Sequence, residues 1–184
     1  MPKHQNDAPY SPLTISLHWI IAALFVVAFV LGQVLEEMPR GAEKLSVLGW
    51  HLLAGSAILA LFLPRLLARR ANRPRHEDTP EWEKRAARLV HFALYALMIA
   101  LPVSGFLAAA SMPVAIPLPG GAEIGPLFSS PMLHEAGEEI HETLVGLLVF
   151  GVAIHVGGTL WHKFIRRDGV AGRMLPFARH RHSH

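Results

Sequence analysis

The stretch IHETLVGLLVFGVAIHVGGTLWHKF, residues 140–164, is apolar enough to sit in lipid yet carries His141, His155 and His162, spaced 14 and 7 residues apart. At about 100° per residue, 7 positions return a helix to within roughly 20° of its start and 14 to within roughly 40°, so the three imidazoles share one face. An ionisable group inside a membrane is costly and normally faces a partner or a cavity. What this face can do depends on what the rest of the chain sets opposite it.

Composition fixes the environment. Of 184 residues, 52% are hydrophobic and 17% charged, and the mean hydropathy is +0.34, ordinary for a small membrane protein with one domain. There is no cysteine. That excludes disulfides, thiolate-bound iron–sulfur clusters, zinc–thiolate sites and the C-x-x-C-H attachment of haem c, so any haem would be held by ligation alone.

Four apolar runs, 13–35, 47–68, 86–110 and 140–165, can each span roughly 30 Å of hydrocarbon at 1.5 Å per residue. They predict an all-α, integral membrane four-helix bundle. The first run follows only Lys3 as a basic residue and ends in GQVLEEMPR without a small-residue cleavage site, which argues against a removable signal peptide. Arg65, Arg69, Arg70, Arg73, Arg75, Lys84, Arg85 and Arg88 lie between spans two and three. Lys163, Arg166, Arg167, Arg173, Arg179 and Arg181 follow span four, and the other two connections hold only Arg40 and Lys44. Lys and Arg accumulate on the cytoplasmic side, which predicts both termini and the 65–88 loop inside, with 36–46 and 111–139 outside. A sequence pI of 9.7 then reflects topology, and no nucleic-acid partner is invoked. The expected organisation is a cytoplasmic tail over 1–12, a membrane domain over 13–165 and a basic, His-rich cytoplasmic tail over 166–184. The outer segment 111–139 is rich in Pro and Gly yet apolar, and is expected to fold over the membrane face as a cap.

Helix direction gives each histidine a depth. His18 opens span one at the cytoplasmic end, His51 opens span two at the outer end, and His91 lies near the cytoplasmic start of span three. Span four runs inward from His141, with His155 about 21 Å further along the axis and His162 deeper still. Two matched pairs result, His51 with His141 outside and His18 with His155 inside. Two imidazoles at equal depth on facing helices are what a flat, apolar macrocycle with an axial metal requires, and two such levels would stack two haems across the bilayer. Glycines near each histidine, Gly49 and Gly55, Gly137 and Gly146, and Gly151, Gly157 and Gly158, are expected to let a porphyrin edge approach the backbone. A single histidine in a span is more often a hydrogen-bonded interior group. Four at two matched depths favour ligation, which needs neutral imidazoles.

His91 and His162, with Arg88, Lys163, Trp19 and Trp161 near them, are candidates for a quinone site in which an imidazole relays protons. Residues of these types also serve as interface anchors. His134 stands one 7-residue step before His141 and is expected in the loop. His4, His76, His180, His182 and His184 are expected to be solvated and to carry no site. Pro102 should kink span three and free the Met98 carbonyl.

These features resemble the bacterial cytochrome b561 family, which is related to the cytochrome b subunits that anchor nickel–iron hydrogenases and formate dehydrogenase. The resemblance covers nearly the whole chain. It rests on SLHW opening span one, GWHLLAG opening span two, HFALYALMIALPVSG in span three, and IHETL, IHVGGTLWHKF and GRMLP along and after span four. It implies two non-covalent b haems, the inner one held by His18 and His155 and the outer one by His51 and His141, in a bacterial inner-membrane protein. It also implies electron exchange with ubiquinone at the cytoplasmic side, and in some members oxidation of superoxide at the periplasmic side.

The outer segments carry Glu36, Glu37, Glu43, Glu123, Glu135, Glu138, Glu139 and Glu142. Such a face repels an anion like superoxide and attracts a basic partner such as a cationic periplasmic cytochrome c. The leading expectation is therefore a di-haem cytochrome moving electrons between ubiquinone and a periplasmic partner. The alternatives are a superoxide oxidase, a membrane anchor of a larger oxidoreductase, and a haem-free metal or proton transporter.

Overall fold

The computed structural model describes residues 10–71, 79–168, Gly172 and Met174. Lys3, His4, Arg73, Arg75, His76, Arg173 and the basic and histidine residues of 179–184 lie outside the described residues, as does the rest of the GRMLP motif.

Helix α1 spans Pro12–Glu37, α2 Ala42–Ala71, α3 Glu81–Ala110 and α4 Pro131–Trp161, and a π-helical turn, His162–Arg166, continues α4. All four are long and apolar enough to cross a membrane. Local sequence sets their ends. Ser11 caps α1 by accepting from the Thr14 N–H, with Pro12 in the first turn where its missing N–H costs nothing. The helix stops at Met38, whose backbone is extended because Pro39 disfavours the helical region for the residue before it. Ser130 and Pro131 repeat the starting arrangement in α4. Glu81 and Glu83 occupy the first turn of α3, and Arg69 and Arg70 the last turn of α2, each sign complementing the helix dipole.

The helices run past the hydropathic spans. α2 begins at Ala42, α3 at Glu81 and α4 at Pro131, since a helix need not stop where the hydrocarbon does. This corrects two placements. His134 belongs to α4, with Nδ1 donating to the Ala108 carbonyl at 2.9 Å, and is no loop residue. Arg65, Arg69 and Arg70 lie on α2, and Lys84, Arg85 and Arg88 on α3, so fewer residues connect those helices than the charge pattern suggested.

Packing is inverted relative to a water-soluble bundle. Phe92 and Phe150 are 72% and 66% exposed, while Arg65 is only 9% exposed, as expected where the surroundings are lipid. α1 packs along α2 and α3 along α4, with a thinner seam between α2 and α3. The backbone of α4 barely approaches α1 or α2. Ile21, Ile58 and Met98 form the mid-bundle core of α1, α2 and α3. Gly137 lies against Ala108, where an added Cβ would sit 3.0 Å from the Ala108 backbone, a small-residue contact that brings α3 and α4 together.

The segment between α3 and α4 packs as a cap. β1 (Ile116–Pro117) pairs antiparallel with β2 (Glu123–Ile124), closed by a turn with Pro119 followed by Gly120 at φ 99°, the left-handed position of a type II turn. The Gly121 N–H donates to Leu118 O at 3.2 Å. Ile116 is fully buried among Leu52, Ala109, Leu45 and Leu48.

Candidate functional site

At the end of the bundle covered by the hairpin, His51 of α2 and His141 of α4 meet with ring centres 6.0 Å apart and planes at 73°. Each ring is held from behind. His51 Nδ1 is 2.9 Å from the Ala28 carbonyl of α1, and His141 Nδ1 is 3.0 Å from the Leu101 carbonyl of α3. A carbonyl can only accept, so Nδ1 carries the proton in both rings and Nε2 keeps its lone pair, the arrangement in which an imidazole, oriented by a backbone carbonyl behind it, can ligate a metal. Ser104 donates to the same Leu101 carbonyl at 3.0 Å, and its oxygen lies 3.1 Å from His141 Nδ1. Two glycines make room. A Cβ at Gly105 would stand 3.0 Å from His141 Cε1, and one at Gly32 3.6 Å from His51 Cε1.

At the other end, which carries the start of α1 and the end of α4, His18 and His155 meet with ring centres 6.3 Å apart at 71°. His91 of α3 joins them, its ring 5.2 Å from that of His155. His91 Nδ1 is bound to the Ala87 carbonyl one turn back. Trp19 sits edge-on to His18 and donates from Nε1 to the Met174 carbonyl at 2.9 Å, tying the segment after α4 to the start of α1. His162 is engaged elsewhere, with Nδ1 2.6 Å from Asp168 Oδ2. The structure thus sets His91 against the His18–His155 pair and His162 against a carboxylate. No hydrogen bond or ring contact joins the two among the described residues.

Several other site features are not those the sequence singled out. Gly49 serves the cap, since a Cβ there would lie 2.0 Å from the Pro117 carbonyl oxygen. Gly137 meets Ala108, Gly151 meets Leu94, and Gly55 lies near Pro102. The glycines against the rings are Gly32 and Gly105, whose depth along α1 and α3, countable from helix direction, matches that of the His51–His141 pair. Arg65 was also missed as a site residue. It lies at the second histidine level within electrostatic reach of His18, His91 and His155.

The spacing of the pairs can be tested against a metal. An ion held between two imidazole nitrogens at about 2 Å each, with about 1 Å more to each ring centre, would place the centres about 6 Å apart. Both pairs fit, and both bridge helices whose backbones do not pack together. Among the described residues no group of three or more His, Asp or Glu side chains is gathered as a metal site. A metal held by each pair would need its remaining coordination positions filled by a group that these side chains do not supply, which a planar macrocycle such as a porphyrin would do.

The family model described as prokaryotic cytochrome b561 matches residues 9–177. "Cytochrome b561 homolog 1" of Escherichia coli (strain K12) is 27% identical over 175 residues, covering 91% of this chain and 97% of the relative. "Probable superoxide oxidase CybB" of Yersinia pestis is 25% identical over 184 residues, covering 91% and 96%. "Cytochrome b562" of Cereibacter sphaeroides is 25% identical over 175 residues, covering 92% and 97%.

Proposed function

Because the chain belongs to the prokaryotic cytochrome b561 family and is a multi-pass electron-transfer protein of the inner membrane, we propose that it is a di-haem b cytochrome. In this reading it moves single electrons between ubiquinone on the cytoplasmic side and a periplasmic partner. The observation that carries it is the pair of imidazole couples, 6.0 and 6.3 Å between ring centres, set 14 residues apart on α4.

His51 and His141 hold one haem and His18 and His155 the other. Haem b supplies a one-electron iron couple when bound. The Ala28 and Leu101 carbonyls fix the tautomer and aim of His51 and His141, and Ser104 buttresses the second. In this reading both termini are cytoplasmic and the hairpin cap is periplasmic, supported by the basic residues that accumulate at the end of α2, the start of α3 and after α4 in the sequence. The domain boundaries follow from this, with tails over 1–12 and 166–184 around a membrane domain over 13–165. His91 and His162 lie toward the cytoplasmic side, where quinone chemistry consumes protons. Imidazoles are the side chains suited to exchanging them near neutral pH.

The relative described as a probable superoxide oxidase favours a second reading, in which superoxide is the periplasmic electron donor. The acidic outer face favours a cationic protein partner instead. A reduced-minus-oxidised spectrum of the purified protein tests the common core of both readings. Haem bands from two centres are expected, and a protein purified from haem-replete membranes that shows none would leave the histidine stack to a transporter.

A further inference from the structure

Arg65 stands 14 residues after His51 on α2, as His155 stands 14 residues after His141 on α4. The shared interval advances each helix about 21 Å and returns it to nearly the same face. At the level where α4 presents its second imidazole, α2 therefore presents a guanidinium. That side chain is more than nine-tenths buried. Its Nε and Nη1 are enclosed and have no hydrogen-bond partner among the described residues. It lies over the Tyr95 ring at 5.9 Å, and Arg69 lies over the same ring at 5.3 Å while donating to the Tyr95 hydroxyl.

Two cations thus crowd one tyrosine beside the inner histidines. Among the described residues the side chains set against Arg65 are Tyr95, which also shares a hydrogen bond with it, Arg69, Tyr10 and the inner histidines, none of them an anion at neutral pH. Glu83, a buried carboxylate in the first turn of α3, has one oxygen 3.7 Å from Arg166 Nε and the other enclosed without a hydrogen-bond partner among the described residues. A buried guanidinium is retained where an anion meets it, and its planar set of donors matches a carboxylate or a phosphate.

We propose that Arg65, backed by Arg69, binds a carboxylate of the macrocycle held by His18 and His155, namely a propionate of the inner haem. This rests on the di-haem reading above. Arg65 is a positioning residue. It fixes the rotation of the ring about the axis through the two imidazoles and places positive charge beside it, which favours the reduced state. A phosphate of an anionic lipid could satisfy the same donors, and the test separates the two.

The test uses the full chain purified as parent, Arg65→Lys and Arg65→Leu, with haem carrying carbon-13 at its propionate carboxyls. Potentiometric titration and redox-difference infrared spectra are then recorded. The expected result for Arg65→Leu is a lowered potential for one haem only, with a shift of the labelled carboxylate band. The other haem stays unchanged and reports that the bundle is folded. Arg65→Lys, which keeps the charge, should retain most of the parent potential. Two haems with unchanged potentials and an unshifted band in Arg65→Leu would overturn this inference and leave the di-haem reading standing. So would an anionic lipid that copurifies with the parent and is lost from Arg65→Leu while the labelled band stays put. A parent protein without haem would overturn both.

Discussion

At the scale of single residues, the tightest fit in the site is Gly105 beneath His141. Any side chain there begins with a Cβ at 3.0 Å from the ring, against 3.6 Å for Gly32 beneath His51. Gly105→Val should therefore displace His141 and cost much of one haem, whereas Gly32→Ala should be nearly silent; haem content per chain by pyridine haemochrome checks the ranking. Ser104→Ala removes a neutral hydrogen bond, a loss of about 1 kcal/mol, and should weaken retention of the same haem in detergent without abolishing it. If His91 and His162 serve quinone, alanine at either should leave both haems bound and slow haem oxidation by a water-soluble quinone. Because His91 also touches His155, only His91→Ala should perturb the absorption of a haem as well, and unchanged kinetics in both variants would return them to interface anchors. The two histidine pairs were legible in the sequence because depth along an apolar helix can be counted from its direction. The glycines that flank each histidine in sequence are not the ones against the rings, because neighbours in sequence are not neighbours across a helix interface. Arg65 was hidden by its type, since a charge count assigns an arginine to a loop by default.

At the scale of elements, hydropathy located all four helices but saw only the part that lipid must cover. The start of α4 depends on Ser130 and Pro131, a capping signal that sits before a polar turn, and His134 was misplaced for that reason. The cap was legible as an apolar Pro- and Gly-rich segment. Its docking was not, because it turns on a single backbone approach at Gly49, where a Cβ would fall 2.0 Å from Pro117 O. Even Gly49→Ala should push the hairpin off α2, an overpacking of about 1–3 kcal/mol. Faster proteolysis within 112–130 should reveal it, with both haems still bound in the intact fraction. Gly137→Leu would act on a different seam, separating α3 from α4 and lowering the melting temperature.

At the scale of the whole molecule, charge decides which partner can reach the end of the bundle beneath the cap. The glutamates of the α1–α2 turn, the hairpin and the first turns of α4 outnumber Arg40 and Lys44 there, and Lys44 is partly occupied by the Met38 carbonyl at 3.3 Å. Haem reduction by superoxide should be slow and become slower as salt is lowered. Exchange with a cationic cytochrome c should be fast and weaken with salt. Stopped-flow rates at low and high ionic strength measure both, and near-diffusional superoxide reduction that accelerates at low salt would make the superoxide reading the first choice. Beneath that question lies the claim that one helix, α4, supplies a ligand to each of two haems at two depths. Haem stoichiometry by pyridine haemochrome in the parent, His141→Ala and His155→Ala tests it most directly. We predict two haems per chain in the parent and one in each variant, with the surviving haem differing between the two. Two haems in either variant, or loss of the same haem from both, would contradict it.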